Sequence, residues 1–376
     1  MAVHTPTAHP IAGDAQLMLA AMRRARAQTL ALVGGCSEEQ LERVHSPIMS
    51  PLVWDLAHIA AYEDLWIAHR HGGGELLRPE LAGTYDAFET PRAARAEAEL
   101  LDPAGARDYM QDVRERTVEV LERVGTGDGV ICEMVLRHEL QHCETMRQTM
   151  AIAGLLPDGE PPAGVPAEAP GWTAVPAGSF MMGAAEEGFS YDNERPRHEV
   201  FVGAFTVARV PVSNASWMHF SEGGGYVRRE WWSDEGWAWK EEFDITHHPS
   251  VADGAPQAPV CHVSWFEAEA FARAHEARLP TEAEWERAAT STQGTEQLLG
   301  GRGQVWEWTA STFGPYPGFR AHPYREYSEV FFGRDYRVLR GGSWATHPRV
   351  ASTTFRNWDL PLRRQIFSGV RLAREG

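Results

Sequence analysis

The chain has little cysteine and no pattern in what it has. Four cysteines, Cys36, Cys132, Cys143 and Cys261, are scattered over 376 residues without a C-x-x-C pair, which fits reduced thiols of the cytoplasm rather than a disulfide framework. Long apolar runs are also missing. Nowhere do eighteen apolar residues follow one another, and no basic segment precedes an apolar run near the N-terminus, so neither a membrane span nor an export signal is expected. Positive charge is scarce, with 35 Lys and Arg against 52 Asp and Glu and a net charge of −17. That balance argues against nucleic acid or an anionic membrane surface as a partner and leaves room for small molecules in a locally basic pocket. Internal repeats are absent. What is present is ordinary globular material: 43% hydrophobic and 10% aromatic residues, enough chain for two domains with separate cores.

Residues 14–156 read as helices. SEEQLERV opens with Ser37 three before Gln40, a capping box, and SPLVWDLAHIAAYEDLWIAHR opens with Ser50 as N-cap and Pro51 at the first helical position. DPAGARDYMQDVRERTVEVLERV places Tyr109, Val113, Val120 and Leu121 on one apolar side. A fourth stretch, Ile131 to Ala153, has no proline and repeats apolar residues at Met134, Val135, Met146, Met150 and Ile152. Four such helices predict an antiparallel bundle. A proline-rich linker follows at 157–170, PDGEPPAGVPAEAP. Residues 171–376 change character, with glycines, tryptophans and short apolar runs (FVGAFTVARVPV, YRVLRGGSW, FSGVRLA). Only two helices stand out there, SWFEAEAFARAHEA with Ser264 and Glu267 as capping box and TEAEWERAAT with Thr281 and Glu284 in the same roles. This second part is expected to be a loop-rich α+β domain.

The segment RHELQHCETM contains His138, Glu139 and His142 as H-E-x-x-H, a zinc-protease pattern in which two histidines one turn apart share a metal beside a glutamate base. A protease of that kind needs a third ligand downstream. Asp158, Glu160 and Glu168 all lie in the proline-rich linker, which cannot form a ligand-bearing helix. An upstream partner is available in His58 of WDLAHIAAYE. Alone, a mid-helix histidine is more often a core residue, but facing helices of a bundle are where metal sites are assembled. Three imidazoles leave open positions on a six-coordinate ion and do not by themselves separate iron from zinc.

Together, SPLVWDLAHI, HELQHCETM, DNERPRHEV, RLPTEAEWE, VWEWT, YRVLRGGSW and FRNWDLPLRRQIFSGVRLA resemble the ergothioneine-type sulfoxide synthases. The resemblance implies a multidomain α and α+β chain: an N-terminal DinB-like four-helix bundle, then a C-type-lectin-like domain of the kind found in the formylglycine-generating enzyme, the sulfatase-modifying factor. It implies a cytoplasmic, non-haem iron(II) oxidoreductase that uses dioxygen to join the sulfur of a cysteinyl donor to the imidazole carbon of hercynine, Nα-trimethylhistidine, leaving a sulfoxide. His58, His138 and His142 become the iron ligands, Gln141 a hercynine contact, and Glu139 a bystander within an H-x-x-x-H motif.

Tyr324 and Tyr327 in AHPYREYSEVFF match the family's two active-site tyrosines, Tyr324 as the catalytic one and Tyr327 as a hercynine contact, with Tyr316 in GPYPGF a rival for either role. Asn357, Trp358 and Asp359 in FRNWD match substrate-binding positions. A trimethylammonium group has no N–H to donate and needs aromatic faces or carboxylate charge. Arg92 and Arg95 in YDAFETPRAARAE resemble an arginine pair that grips the carboxylates of γ-glutamylcysteine. One departure is the short TSTQGTEQLLGGRGQ between WERAA and VWEWT, where the family carries several dozen residues. Rival readings are a synthase using cysteine or a selenosugar, a formylglycine-generating enzyme, and a metal-bound binding module without catalysis. Formylglycine generation is disfavoured because no cysteine follows Cys261.

Overall fold

A computed structural model of the chain describes residues 14–160, 171–249, 254–291, Leu298 and 303–376. The described residues divide into two compact units, one ending at Glu160 and the other following it. Residues 161–170 of the expected linker and most of the shortened loop before Val305 lie outside the described residues. Among the described residues, no helix is long and apolar enough to cross a membrane.

The first unit is a four-helix bundle of α1 (Ala15–Leu32), α3 (Leu52–Glu63), α4 (Pro103–Val124) and α5 (Val130–Ala153), with the short α2 (Glu38–Glu42) beside it. The bundle is as expected, but its membership is corrected. SEEQLERV keeps its capping box yet gives only the five residues of α2, and the fourth bundle helix is α1, capped by Asp14. A second correction concerns Ser50. Helix α3 has Pro51 rather than Ser50 at its N-cap, one residue later than expected, and a proline offers no side-chain cap; the Ser50 hydroxyl accepts from Arg95 Nη1 at 2.7 Å. At its far end α3 runs on into a π-helical stretch, Asp64–His71.

The core between these helices is filled by Trp54, Leu56, Ile59, Tyr109, Met110, Val113, Met146 and Met150. Each large apolar side chain so buried contributes roughly 1.5–3 kcal/mol. The same interior holds a linked quartet of charges, one from each of these helices. Arg26 of α1 donates to Glu63 of α3 at 2.9 Å and to Glu139 of α5 at 2.8 Å, and Arg114 of α4 donates to the same two carboxylates at 2.7 and 3.1 Å. Burial alone would raise the Glu63 carboxyl, but the Arg114 and Arg26 guanidiniums hold it down at about 2.

Among the described residues, the second unit combines three small sheets with helices. Strands β1 (Trp172–Val175), β4 (Phe205–Ala208) and β9 (Ala373–Glu375) form one sheet in the order β1-β4-β9, and β2 (Gly178–Met182) pairs with β3 (His198–Val202). The third has the order β7-β6-β5-β8, from β7 (Asn357–Asp359), β6 (Arg337–Arg340), β5 (Trp306–Thr312) and β8 (Ser368–Gly369). Both expected capping boxes are present, at α8 (Trp265–Ala274) and at the start of α9 (Glu282–Ser291). Two further helices were not anticipated, α6 (Asn214–Glu222) and α7 (Asp234–Glu242), each capped by a serine, Ser213 and Ser233. Both have only nine residues, too few for a periodicity that stands out among so many tryptophans and glycines. Glu307 of β5 ties the unit together: it accepts from Arg371 at 2.7 Å through each oxygen and from Trp285 Nε1 at 2.6 Å.

Candidate functional site

His58 lies in the middle of α3, and His138 and His142 lie one turn apart on α5. Their ligand nitrogens all fall within 4.8 Å of one another, and His58 Nε2 and His138 Nε2 are 3.1 Å apart. Two nitrogens at about 2.1 Å from one ion, set at right angles, would stand about 3 Å apart, so the pair suits a shared cation.

The other ring nitrogens decide where the lone pairs point. His58 Nδ1 is 2.6 Å from the Tyr85 carbonyl oxygen, which can only accept, so that nitrogen carries the proton and Nε2 presents a lone pair. His142 Nδ1 faces the Asp55 carboxylate at 2.9 Å, with the same consequence. Burial pushes His58 and His138 well below the usual imidazole range, and the neighbouring His142 adds to the effect in both. They therefore stand as neutral donors at pH 7. Aromatic rings fix the planes: Trp54 stacks on His58 at 4.5 Å and 16°, and Tyr62 on His138 at 3.7 Å and 11°. Three imidazoles thus converge with orienting partners already in place, which is how transition-metal sites are built.

Glu139 does not join them. Its carboxylate accepts from Arg26, Arg114 and Thr29 in the charged interior of the bundle, so the H-E-x-x-H pattern contains no free base. Gln141 is half-buried on α5, between the two histidines.

The arginine pair is split. Arg92 is exposed, whereas Arg95 is buried. Arg95 donates to Ser50 Oγ, the Thr90 carbonyl and the Ala87 carbonyl, and its guanidinium lies 3.4 Å from the centre of the Trp54 ring. The sequence expected two equivalent forks. Placed at the two ends of a 3-10 turn, they have unlike surroundings.

In the second unit Tyr324, Tyr327 and Trp358 come together. Tyr324 meets Tyr327 edge-on at 6.2 Å, and Tyr327 meets Trp358 edge-on at 5.8 Å. Trp358 also stacks on Phe313 at 4.3 Å. Asn357 and Asp359 flank it on β7, where Asp359 accepts from the Leu360 N–H at 2.8 Å and from Gln365 at 3.3 Å. Tyr316 has a different setting. It is buried, with the Arg356 guanidinium 4.1 Å from its ring centre and His198 against it, and burial raises its hydroxyl well above the usual range.

Sequence reading missed Asp55, Tyr62 and Tyr85 around the histidines. Asp55 carried a signal, an acid within the apolar run LVWDLAHIAA. The Tyr85 contribution is a backbone carbonyl and has none.

Two family models match the chain: the DinB superfamily over residues 21–146, and the sulfatase-modifying factor enzyme 1-like domain over residues 160–302 and 294–376. The bundle is therefore DinB-like and the second unit has the C-type-lectin-like fold of the sulfatase-modifying factors. Among curated relatives, the hercynine oxygenase of Mycobacterium tuberculosis is 43% identical, over 94% of this chain and 97% of that one. The hercynine oxygenase of Mycolicibacterium smegmatis is 41% identical, over 93% and 96%. The formylglycine-generating enzyme of Streptomyces coelicolor is 29% identical but matches only 53% of this chain, with 87% of its own length covered. The two-domain likeness, not the second domain alone, assigns the chain and sets aside a binding module without catalysis: the chain belongs to the hercynine oxygenase family and is an oxidoreductase.

Proposed function

We propose that the protein is an iron(II)- and dioxygen-dependent sulfoxide synthase of ergothioneine biosynthesis, joining γ-glutamylcysteine to hercynine. The observation that carries this reading is the convergence of His58, His138 and His142, with the tautomers of His58 and His142 set by Tyr85 and Asp55. In the overall reaction the imidazole C–H and the thiol S–H are lost, a C–S bond forms, and one oxygen atom ends on sulfur while the other leaves as water with the two hydrogens. Iron(II), when bound, supplies the capacity to activate dioxygen.

The chain's residues supply the rest. His58, His138 and His142 would hold the metal, imidazole ligands that leave its charge available to a thiolate. Gln141 and Tyr327 orient the hercynine imidazole, and Asn357, Trp358 and Asp359 take its charged end and that of the donor. Tyr324, half-buried rather than sealed in the core, offers its hydroxyl hydrogen to the reacting oxygen. The four cysteines are free thiols, which supports a cytoplasmic setting.

Arg92 and Arg95 are assigned to the donor's carboxylates. The exposure of Arg92 and the engagement of Arg95 by Ser50, Thr90 and Ala87 favour a second reading, in which cysteine or a selenosugar replaces the dianionic donor. Anaerobic reconstitution with iron(II), followed by air, hercynine and each donor in turn, separates them by mass spectrometry. A γ-glutamyl hercynylcysteine sulfoxide establishes the first reading, and product from cysteine or a selenosugar alone establishes the second. No coupled product with any donor overturns both.

A further inference from the structure

The segment that carries Tyr324 and Tyr327 is gripped from a stretch of chain more than a hundred residues earlier. Asp192 Oδ1 accepts from Ser328 Oγ at 2.5 Å, and Oδ2 accepts from the His322 N–H at 3.4 Å. One contact falls immediately after Tyr327 and the other two residues before Tyr324, so a single carboxylate brackets both tyrosines. The preceding residue completes the hold: the Tyr191 ring lies parallel to Tyr327 at 4.3 Å and 7°. Asp192 and Ser328 are both buried, at 4% and 0% exposure, so water does not compete for this bond.

The same turn also grips the residues that lead into the Asn357–Asp359 strand. Glu194 closes the turn by accepting from the Tyr191 N–H at 2.9 Å, and its other oxygen accepts from Thr354 Oγ1 at 2.6 Å. The Asn193 carbonyl accepts from Arg356 Nη1 at 2.7 Å. Three consecutive residues therefore hold both neighbourhoods, Asp192 the residues flanking the tyrosines and Asn193 and Glu194 the residues that lead into Asn357.

We propose that the turn Tyr191–Glu194 is the positioning element that sets the tyrosine pair against the Asn357–Asp359 strand, with Asp192 as the positioning residue for Tyr324 and Tyr327. A buried charge-assisted bond holds a loop more firmly than packing alone, because breaking it strands a buried carboxylate. A loose loop costs orientation, and a misplacement of about 1 Å can cost on the order of 100-fold in rate. This inference rests on the roles given above to the two tyrosines.

The test measures hercynine affinity by calorimetry under anaerobic conditions, together with kcat, KM for each substrate and thermal midpoint, in the iron-loaded enzyme. The variants are Asp192→Ala, Asp192→Asn, Ser328→Ala and Asp192→Ala/Ser328→Ala. Asp192→Ala is expected to weaken hercynine binding about tenfold and to lower kcat, with the thiol KM within about twofold, since orientation at the tyrosines is what is lost. Asp192→Asn retains an oxygen for the Ser328 hydroxyl and should recover most of the loss. Ser328→Ala should reproduce part of it, and the double variant should be no worse than Asp192→Ala, because Asp192→Ala already removes the bond that Ser328→Ala removes. If Asp192→Ala does not fold, Ser328→Ala decides, since it removes only a hydroxyl. Wild-type hercynine affinity and kcat in Ser328→Ala and in any folded Asp192→Ala would overturn the proposal. A wild-type enzyme that binds no hercynine would instead remove the reading on which it rests.

Discussion

Arg26 on α1 and Glu139 on α5 meet at 2.8 Å inside the bundle, which removes from the H-E-x-x-H segment the residue that would make it a protease. The glutamate that looks catalytic in sequence is one of four mutually neutralising charges. Glu139→Gln should therefore act on stability. It leaves Arg26 and Arg114 with a single carboxylate between them, and losing one partner of a buried ion pair costs about 3–5 kcal/mol. Denaturant unfolding should show that loss, while the folded fraction of the variant keeps the wild-type kcat. A stable variant without turnover would mean that Glu139 serves the chemistry.

The carboxylate of Asp55 orients His142 by accepting from its Nδ1–H. Asp55→Asn keeps the size of the side chain but lets the amide either accept or donate, so the His142 tautomer is no longer fixed. A fall of about 10- to 100-fold in metal affinity is expected, measured by competition with a coloured chelator. Unchanged affinity would show that the α5 histidines are oriented by their helix alone.

Replacing Tyr324 by Phe removes one hydroxyl from a half-buried ring and little else. C–S coupling should drop by about 100-fold or more, with oxygen consumption diverted to plain oxidation of the thiol. Product analysis by mass spectrometry alongside an oxygen electrode distinguishes diversion from simple loss. Coupling at the wild-type rate would transfer the role to another residue.

Asp192 gives a pH dependence of defined sign. Burial pushes its carboxyl up to about 6, against the opposing Ser328 and His322 hydrogen bonds, and nearby Glu194 adds to the rise. In the unfolded chain the same carboxyl titrates near an ordinary value of about 4. Between these values the folded protein holds a proton that the unfolded chain has released. The associated stability is thus full below about pH 4 and is lost as pH rises through about 6, by up to about 3 kcal/mol. Asp192→Asn does not titrate there. Relative to it, the wild type should lose stability between about pH 4 and 6.5 in denaturant unfolding, and a constant difference would contradict the shifted carboxyl.

The histidines were legible because each belongs to a helix whose apolar spacing places it, and the capping boxes at Ser37, Ser264 and Thr281 were legible because each is a local exchange of hydrogen bonds over three residues. What escaped was non-local. Ser50 reads as a cap, yet Pro51 takes that position and the Ser50 hydroxyl accepts from Arg95, 45 residues later. Arg92 and Arg95 read as a pair until the turn between them exposes one and buries the other. The hold of Asp192 on Ser328 spans 136 residues, and nothing in DNERPRHEV announces its partner.

The four buried charges of the bundle also constrain how the sequence can drift. Arg26, Glu63, Arg114 and Glu139 each answer two of the others, so neutralising any one leaves an unbalanced ion in the interior and a destabilised descendant. Replacing the quartet by apolar residues without that cost therefore takes several substitutions made together. The protease-like spelling is in this sense a product of helix packing, with Glu139 held by Arg26 and Arg114 and turned away from the three histidines.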